Sequence, residues 1–415
     1  MGENAVVSKT AASASTMSKG LRNACIALLV LLGFSLGASE FVVIGVEQNI
    51  ADSYGVTLSQ VGQLISFFSV TYAILTPVLA ISTGRFKRFQ LLVVYAAVFC
   101  AANVVQAVAS SFGVLLVSRV LVGSVSGSLL AVGVTYIPEL AGSERTSMVI
   151  SIVYAAFSVA MVVVTSLGKI VAELADWRLV MWGTLVLAIA VCAALVLVLP
   201  REGATDEPAT MAEQAGLLKE PQILTGMLIF LFAVGSVYVF YGYVTPYLEE
   251  VLGMAPLAAS AALMAYGGMC FVSNLISGWV DSRFGIKGLT VLFPVLAVVL
   301  FALWAAGSAM PVGLGIVMCI GLLMYVVSVP CISLFMNVAA KRHPKALTLA
   351  SSLEPMAFNM GIAFGTAVGG AVVAGPGISQ VGIVGAVFAL VALALVLLTM
   401  WLDKRANARA AASAE

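Results

Sequence analysis

Glu40, Arg119 and Glu354 are ionisable side chains set inside runs of apolar residues long enough to cross a bilayer. A charge within such a run costs roughly 2.5–3.5 kcal/mol on insertion scales, so its retention points to a use. In the first run Gly33, Gly37, Glu40, Ile44 and Glu47 fall on one stripe at helical spacing. The two glycines let another helix approach closely, and Glu40 shares their face, so it is expected to point into a bundle. A carboxylate held between burial and a neighbouring cation is a device for taking up and releasing protons. Arg119 is the natural countercharge. The pair reads either as a coupling site or as a static ion pair that holds two helices together. Glu354 precedes Pro355 in a run carrying Gly361, Gly365 and Gly369 at spacing four. It is expected either to face a central cavity or to snorkel to the membrane edge.

Polar and aromatic residues at helical spacing suggest a ligand site. Tyr238, Tyr241 and Thr245 form one stripe; Tyr266, Cys270, Ser273 and Ser277 form another; Asn359 lies in a later run. Such groups converging on a cavity suit a small amphipathic or polyol-like ligand. Spread apart, they would serve as an interfacial aromatic belt and interhelical hydrogen bonds. Lys169, near the end of its run, is expected at the interface, with a place in the cavity as the alternative.

Other chemistry lacks material. The six cysteines are scattered through apolar segments with no CxxC spacing, and read as packing residues. The single histidine, His343, stands among Lys341, Arg342 and Lys345 and reads as a solvated loop residue. No G-x-x-x-x-G-K-[ST] loop is present to cradle phosphates. Neither metal centre, cofactor nor enzymatic activity is expected. A net charge of +1 offers no case for nucleic-acid binding.

The elements that must position these residues follow from composition. Hydrophobic residues make up 62% of the 415 and charged residues 9%; mean hydropathy is +1.11. Soluble domains carry roughly 25% charged residues, so this chain must face lipid. A ruler of about 20 apolar residues per crossing yields twelve runs, near 23–50, 58–82, 91–110, 112–137, 148–172, 178–199, 222–247, 257–280, 289–308, 311–338, 348–374 and 380–402. They lack strand alternation, and helices are the backbone solution in lipid. The polar, small residues 1–20 are expected to be disordered. The run that follows is too long for a signal-peptide h-region, so a cleaved leader is not expected.

Lysine and arginine orient the runs. With the N-terminus inside, every Lys and Arg except Arg119, Lys169 and Arg178 falls on the cytoplasmic side, while acids including Glu47, Asp52, Glu173, Asp176, Glu249 and Glu250 fall outside. A multi-pass protein of the plasma membrane with both termini cytoplasmic is expected. The polar stretch 200–221 separates six runs from six. The domains are therefore a 21–199 bundle, a 200–221 cytoplasmic linker, a 222–403 bundle and a 404–415 tail.

The halves echo each other. Thr83-Gly84-Arg85-Phe86-Lys87-Arg88 stands between the second and third runs, and Val280-Asp281-Ser282-Arg283-Phe284-Gly285 between the eighth and ninth; Arg85 and Arg283 are 198 residues apart, as are Phe86 and Phe284. This is the internal repeat of two six-helix bundles. Around it the chain resembles the major facilitator superfamily, whose loop motif reads G-x-x-x-D-R-x-G-R-R. The second copy keeps Gly278, Arg283 and Gly285, with Asp281 one place early; the first keeps Arg85 and Arg88, with Gly84 in place of the acid.

Gly37–Gly45, Asp176-Trp177-Arg178, Tyr243–Leu248 and Ala357–Gly365 are similar to the twelve-span drug/proton antiporter branch, in particular its sugar and arabinose efflux permeases. The resemblance covers about residues 20–403. It implies an all-α membrane protein of twelve transmembrane helices in two six-helix bundles related by pseudo-two-fold symmetry. The implied function is proton-coupled efflux of a small organic molecule (drug-like compound, sugar or related metabolite) by a monomer using alternating access. Its partners would be that substrate, protons and the bilayer.

Within the resemblance Arg119 matches the intramembrane arginine of the fourth span, and Arg85, Arg88, Asp281 and Arg283 belong to the conformational loop motif. The fifth-span antiporter motif G-x-x-x-G-P-x-x-G-G is reduced to Gly168 in Val163–Gly168. That reduction leaves uptake or facilitated diffusion as the alternative; a non-transporting receptor fits less well, since the loops are short.

Overall fold

The computed structural model describes residues 17–83, 86–142, 145–201, 216–343 and 346–412. The described residues include sixteen α-helices: α1 (Lys19–Phe41), α2 (Glu47–Tyr54), α3 (Leu58–Thr83), α4 (Arg88–Ala107), α5 (Phe112–Val134), α6 (Ile137–Ala141), α7 (Thr146–Leu174) and α8 (Trp177–Val198), then α9 (Pro221–Tyr241), α10 (Val244–Pro246), α11 (Pro256–Phe284), α12 (Leu289–Ala306), α13 (Met310–Leu323), α14 (Ser328–Arg342), α15 (Leu347–Ala374) and α16 (Val381–Ala412). Eleven described stretches are long and apolar enough to cross a membrane. One of them, Pro256–Ala306, has 51 residues. As one helix at 1.5 Å per residue it would far exceed a hydrocarbon core of about 30 Å. It is instead two crossings, α11 and α12. They part at Gly285, whose φ of +55° suits a residue without a Cβ, and at the 3-10 turn Gly285–Gly288. The crossings number twelve and all are helical.

Crossings one, four, seven and ten are interrupted. The first breaks at residues 42–46, the fourth at Thr135–Tyr136, the seventh at Gly242–Tyr243 and the tenth at Met324–Val327. The recurrence every three crossings is the periodicity of the three-plus-three repeats from which this kind of transporter fold is built. Proline stands just past three of these breaks, at Pro138, Pro246 and Pro330, where it has no N–H to donate to the carbonyl four residues back; Pro77, Pro294 and Pro355 lie inside continuous helices.

Three corrections follow. The single stripe expected from Gly33 to Glu47 ends with α1 at Phe41, and Glu47 opens a separate helix, where it is buried rather than lying in an outer loop. Likewise Tyr238 and Tyr241 are on α9 but Thr245 is on α10, so the seventh-run stripe is not continuous. The turn expected at Val280–Gly285 is also shorter, because α11 runs to Phe284 and holds Asp281 and Arg283.

The chain separates into two compact units, one of residues 1–46 with 74–208, the other of residues 47–73 with 209–415. In the first, α1 packs along α7. A Cβ on Gly33, Gly37 or Gly45 would come 2.5, 2.6 and 2.4 Å from the main-chain oxygens of Val153, Phe157 and Thr165. In the second, α9 packs between α15 and α16. There a Cβ on Gly365 would stand 2.6 Å from the carbonyl of Gly235. Small residues bring the backbones together because lipid supplies no hydrophobic force to do so.

Candidate functional site

The first unit holds a buried polar cluster where α1 stops. The last carbonyls of a helix have no intrahelical donor. Those of Ser39 and Glu40 are taken by Arg119 of α5, whose Nη1 donates to the Ser39 oxygen and whose Nη2 donates to the Glu40 oxygen at 2.7 Å. A cation at a helix C-terminus is also favoured by the helix dipole. Nη1 lies 3.5 Å from Oε1 of Gln106 on α4, and Gln106 Nε2 donates to the Met181 sulfur of α8 at 3.2 Å. Ser39 Oγ donates to Asn103 Oδ1 at 2.9 Å, and Asn103 Nδ2 donates to the Phe99 carbonyl. Arg119 and Ser39 are 0% exposed, Asn103 and Gln106 1%, and Glu40 3%. The Glu40 carboxylate is within electrostatic reach of Arg119, yet neither of its oxygens accepts a hydrogen bond among the described residues.

The expected pair therefore differs in form. Arg119 clasps the backbone beside Glu40 instead of its carboxylate, because the broken helix end offers two aligned acceptors that match a planar guanidinium. Asn103 and Gln106 were not singled out from the sequence. Their signal was present: two amides three residues apart on one face of an apolar run.

Arg88 repeats the device at the next interruption. Its Nη1 donates to the Thr135 carbonyl at the end of α5 at 3.3 Å, its Nη2 pairs with Glu139 of α6, and its guanidinium lies 4.1 Å over the Tyr136 ring. Arg85 lies outside the described residues. Lys169 is not interfacial: it is 1% exposed, and its Nζ meets Glu173 Oε1 at 2.9 Å one turn on. A buried ammonium demands such a partner, which overrides its place near the end of the helix.

In the second unit the sequence candidates gather into an aromatic cluster. Tyr241 and Tyr266 stack at 5.1 Å and 14°, and Tyr238 meets Tyr241 edge-on at 5.4 Å. Tyr238 also meets Phe358, which stacks on Tyr325 at 5.5 Å and 6°. Tyr238, Tyr241, Thr245 and Tyr266 are buried. The Tyr266 hydroxyl and the Cys270 thiol both reach the Met324 sulfur, at 3.5 and 3.4 Å. Asn359 is 4% exposed; its Nδ2 donates to the Pro355 carbonyl, while its Oδ1 has no hydrogen-bond partner among the described residues. Phe358 and Met324 were missed, since apolar side chains in an apolar run carry no distinguishing signal; Tyr325 was missed because it falls on neither of the polar-aromatic stripes. Glu354 is half-buried, and Cys331 lies within electrostatic reach of both Glu354 and Asp281.

At the other end of this unit Asp281 accepts a hydrogen bond from Ser333 Oγ at 2.6 Å. Arg283 lies 5.0 Å over the Trp279 ring. His343 is not simply solvated: its Nε2 is 3.0 Å from Glu220 Oε1, and Arg342 meets the other Glu220 oxygen at 2.5 Å. Burial works to raise the Glu220 carboxyl, but the hydrogen bonds and charge of His343 and Arg342 outweigh it and hold it below the usual carboxylate range. Among the described residues no group of three or more His, Cys, Asp or Glu side chains is placed to hold a metal ion.

Comparison with known proteins agrees with this architecture. Over 376 residues the chain is 28% identical to YtbD of Bacillus subtilis, named an uncharacterised MFS-type transporter, covering 90% of this chain and 93% of that one. It is 27% identical to YdhP of Escherichia coli K12, named an inner membrane transport protein, covering 89% and 94%. A bacterial homologue of the human lysosomal transporter Spinster, solved inward-facing and unoccupied, shares the fold with a TM-score of 0.72 at 17% identity, over 92% of this chain and 98% of that one. The family model of the Major Facilitator Superfamily matches residues 29–353. With twelve helical crossings and interruptions at every third, the chain belongs to the Major Facilitator Superfamily of membrane transporters.

Proposed function

We propose that this protein is a proton-coupled secondary transporter that exports a small organic molecule by alternating access, with Glu40 as the proton-binding group. One observation supports this above the rest. Glu40 is a buried carboxylate whose oxygens accept no hydrogen bond among the described residues, beside an arginine already committed to two main-chain carbonyls. A purely structural ion pair would place its carboxylate on the guanidinium, since a buried charge without partners is costly. A carboxylate left with capacity is suited to taking a proton. On this reading Arg119 sets the field at Glu40, and Glu354 is a second carboxylate in the pathway. Tyr238, Tyr241, Thr245, Tyr266 and Asn359 contact the substrate, Asn359 Oδ1 accepting from a donor on it. Arg85, Arg88, Asp281 and Arg283 steady the ends of helices between states.

The relatives named as inner membrane transport proteins favour a location in the bacterial inner membrane, and the loop cations favour both termini inside. The working unit is a monomer. Externally labelled C-terminal cysteines in spheroplasts would overturn that orientation.

The test is Glu40→Gln in proteoliposomes. Substrate-for-substrate exchange should survive, because it needs no net proton movement, while accumulation driven by a pH gradient should be lost. Gradient-driven accumulation with normal pH dependence in Glu40→Gln would defeat the coupling role. A second reading, uptake or facilitated diffusion, is favoured by α7, which runs unbroken from Thr146 to Leu174 with Gly168 alone left of the glycines and proline of the antiporter motif. Counterflow that is indifferent to a pH gradient in the wild type would select it.

A further inference from the structure

The polar stripe on α11 meets the interruption of the tenth crossing. Ser273 Oγ accepts from the Tyr325 N–H at 2.9 Å, Ser277 Oγ donates to the Val326 carbonyl at 3.2 Å, and the Val329 N–H donates to Ser277 Oγ at 3.0 Å. Backbone groups freed by the break between α13 and α14 thus find partners on α11, as buried polar groups must. Gly321 lets the two elements close, since a Cβ there would stand 3.0 Å from the Tyr266 ring and 3.1 Å from its carbonyl oxygen. This register sets Met324, the first residue past α13, against the remaining members of the stripe. The Cys270 thiol donates to the Met324 sulfur at 3.4 Å, and the Tyr266 hydroxyl donates to the same sulfur at 3.5 Å. Cys270, Met324 and Tyr266 are 1%, 3% and 1% exposed. A thiol and a thioether therefore face each other in a buried site, and the transport reading uses neither sulfur.

We propose that Cys270 and Met324 bind one soft monovalent metal ion, Cu(I) or Ag(I), between their sulfurs. Thiolate and thioether ligands select soft metals. Charge then chooses among them. No Asp, Glu, Lys or Arg occurs on α11 from Pro256 to Val280, nor between Met310 and Ala340. On binding, the Cys270 S–H bond breaks, its proton leaves, and the sulfur keeps the electron pair that it shares with the ion. One thiolate and one neutral thioether cancel a single positive charge. A divalent ion would leave net charge in an apolar site, which is costly. Zinc is disfavoured again because its protein sites use three or four ligands, and no group of three His, Cys, Asp or Glu is placed to supply them among the described residues. A metal–sulfur bond is about 2.3 Å, so an ion in line between the sulfurs holds them about 4.6 Å apart, about 1 Å beyond their present separation. The unbranched Met324 side chain, with three rotatable bonds, supplies that movement. Tyr266 lies within electrostatic reach of Cys270, where its O–H donates to the thiolate. The ion thereby joins α11 to the interruption that separates α13 from α14.

The test uses the full chain purified in detergent, carrying Cys100→Ala and Cys192→Ala to remove a second pair of thiols in hydrogen-bond contact. Native mass spectrometry after incubation with equimolar Ag(I) should show one silver ion per chain. Cys270→Ser should lower retention at least tenfold, and Met324→Leu, which conserves volume, by a similar factor. No retention in the parent protein overturns the proposal. Full retention in a folded Met324→Leu protein also overturns it, by reducing the site to a lone thiol. Cd(II) bound in preference to Ag(I) overturns the choice of a monovalent ion. Selenomethionine labelling keeps the test decisive if a variant fails to fold. Silver-edge X-ray absorption of the labelled parent should show one selenium and one sulfur neighbour, and absence of the selenium overturns the two-ligand site. Glu40→Gln should retain silver as the parent does, so failure of the transport reading and failure of this one are separate results.

Discussion

Arg119 holds Glu40 by its backbone, and the carboxylate of the same residue has no hydrogen bond among the described residues. The first crossing thus ends on a side chain supplied by the fourth, and the acid beside that end is buried but uncommitted.

Replacing the arginine should reveal its structural share. Arg119→Ala leaves the Ser39 and Glu40 carbonyls buried without donors, at a cost of about 1–3 kcal/mol for each unsatisfied group. Arg119→Lys keeps the charge but loses the fork that spans two carbonyls. Thermal unfolding in detergent should rank wild type above Lys and Lys above Ala. Equal midpoints for all three would mean that the break in α1 does not depend on this clasp.

Ser39 and Asn103 should be coupled. Ser39→Ala and Asn103→Leu each strand a buried partner, whereas the double variant strands neither side chain. A double-mutant cycle on unfolding free energy should give an interaction of about 0.5–1.5 kcal/mol. A value indistinguishable from zero would show that the 2.9 Å bond contributes nothing.

Glycine substitutions should divide sharply. Gly365→Ala places a Cβ 2.6 Å from the Gly235 carbonyl, a main-chain atom that cannot rotate aside, and should push α9 from α15 with loss of folded protein. Gly268, also helical, has nothing within 4 Å of the corresponding Cβ. Gly268→Ala should be neutral or stabilise by about 0.5–1 kcal/mol through helix propensity. Fluorescence-detected gel filtration of the two variants decides the matter.

Glu220 predicts an acid-sensitive clasp. Its folded carboxyl titrates below the usual range, so its contribution is present above the ordinary value of 4.5 and is lost as pH falls through the lowered folded value. The melting temperature should drop across that acidic window, and Glu220→Gln should lower it at neutral pH while flattening the drop. A Gln variant with the same acid slope as wild type would assign the slope to other groups.

The amino-acid sequence alone determined how many times this chain crosses the membrane and that it does so as helices. Composition left no other surface, and the length of each apolar run set the count. It also marked Glu40 and Arg119, because charge within such a run is costly wherever it occurs. The interruptions in crossings one, four, seven and ten were not legible. Val42-Val43-Ile44-Gly45-Val46 is as apolar as the helix it ends, and in lipid a helix stops there only if its orphan carbonyls find donors elsewhere. The donor is Arg119, eighty residues from Ser39 in the chain. Tertiary structure likewise decided that Glu47 and Lys169 are buried, that Arg88 closes the fourth crossing, and that Gln222 joins Arg342 to Asp403. Each depends on which helix ends are brought together, and hydrophobic periodicity within a single run carries no information about the polar groups of its neighbours.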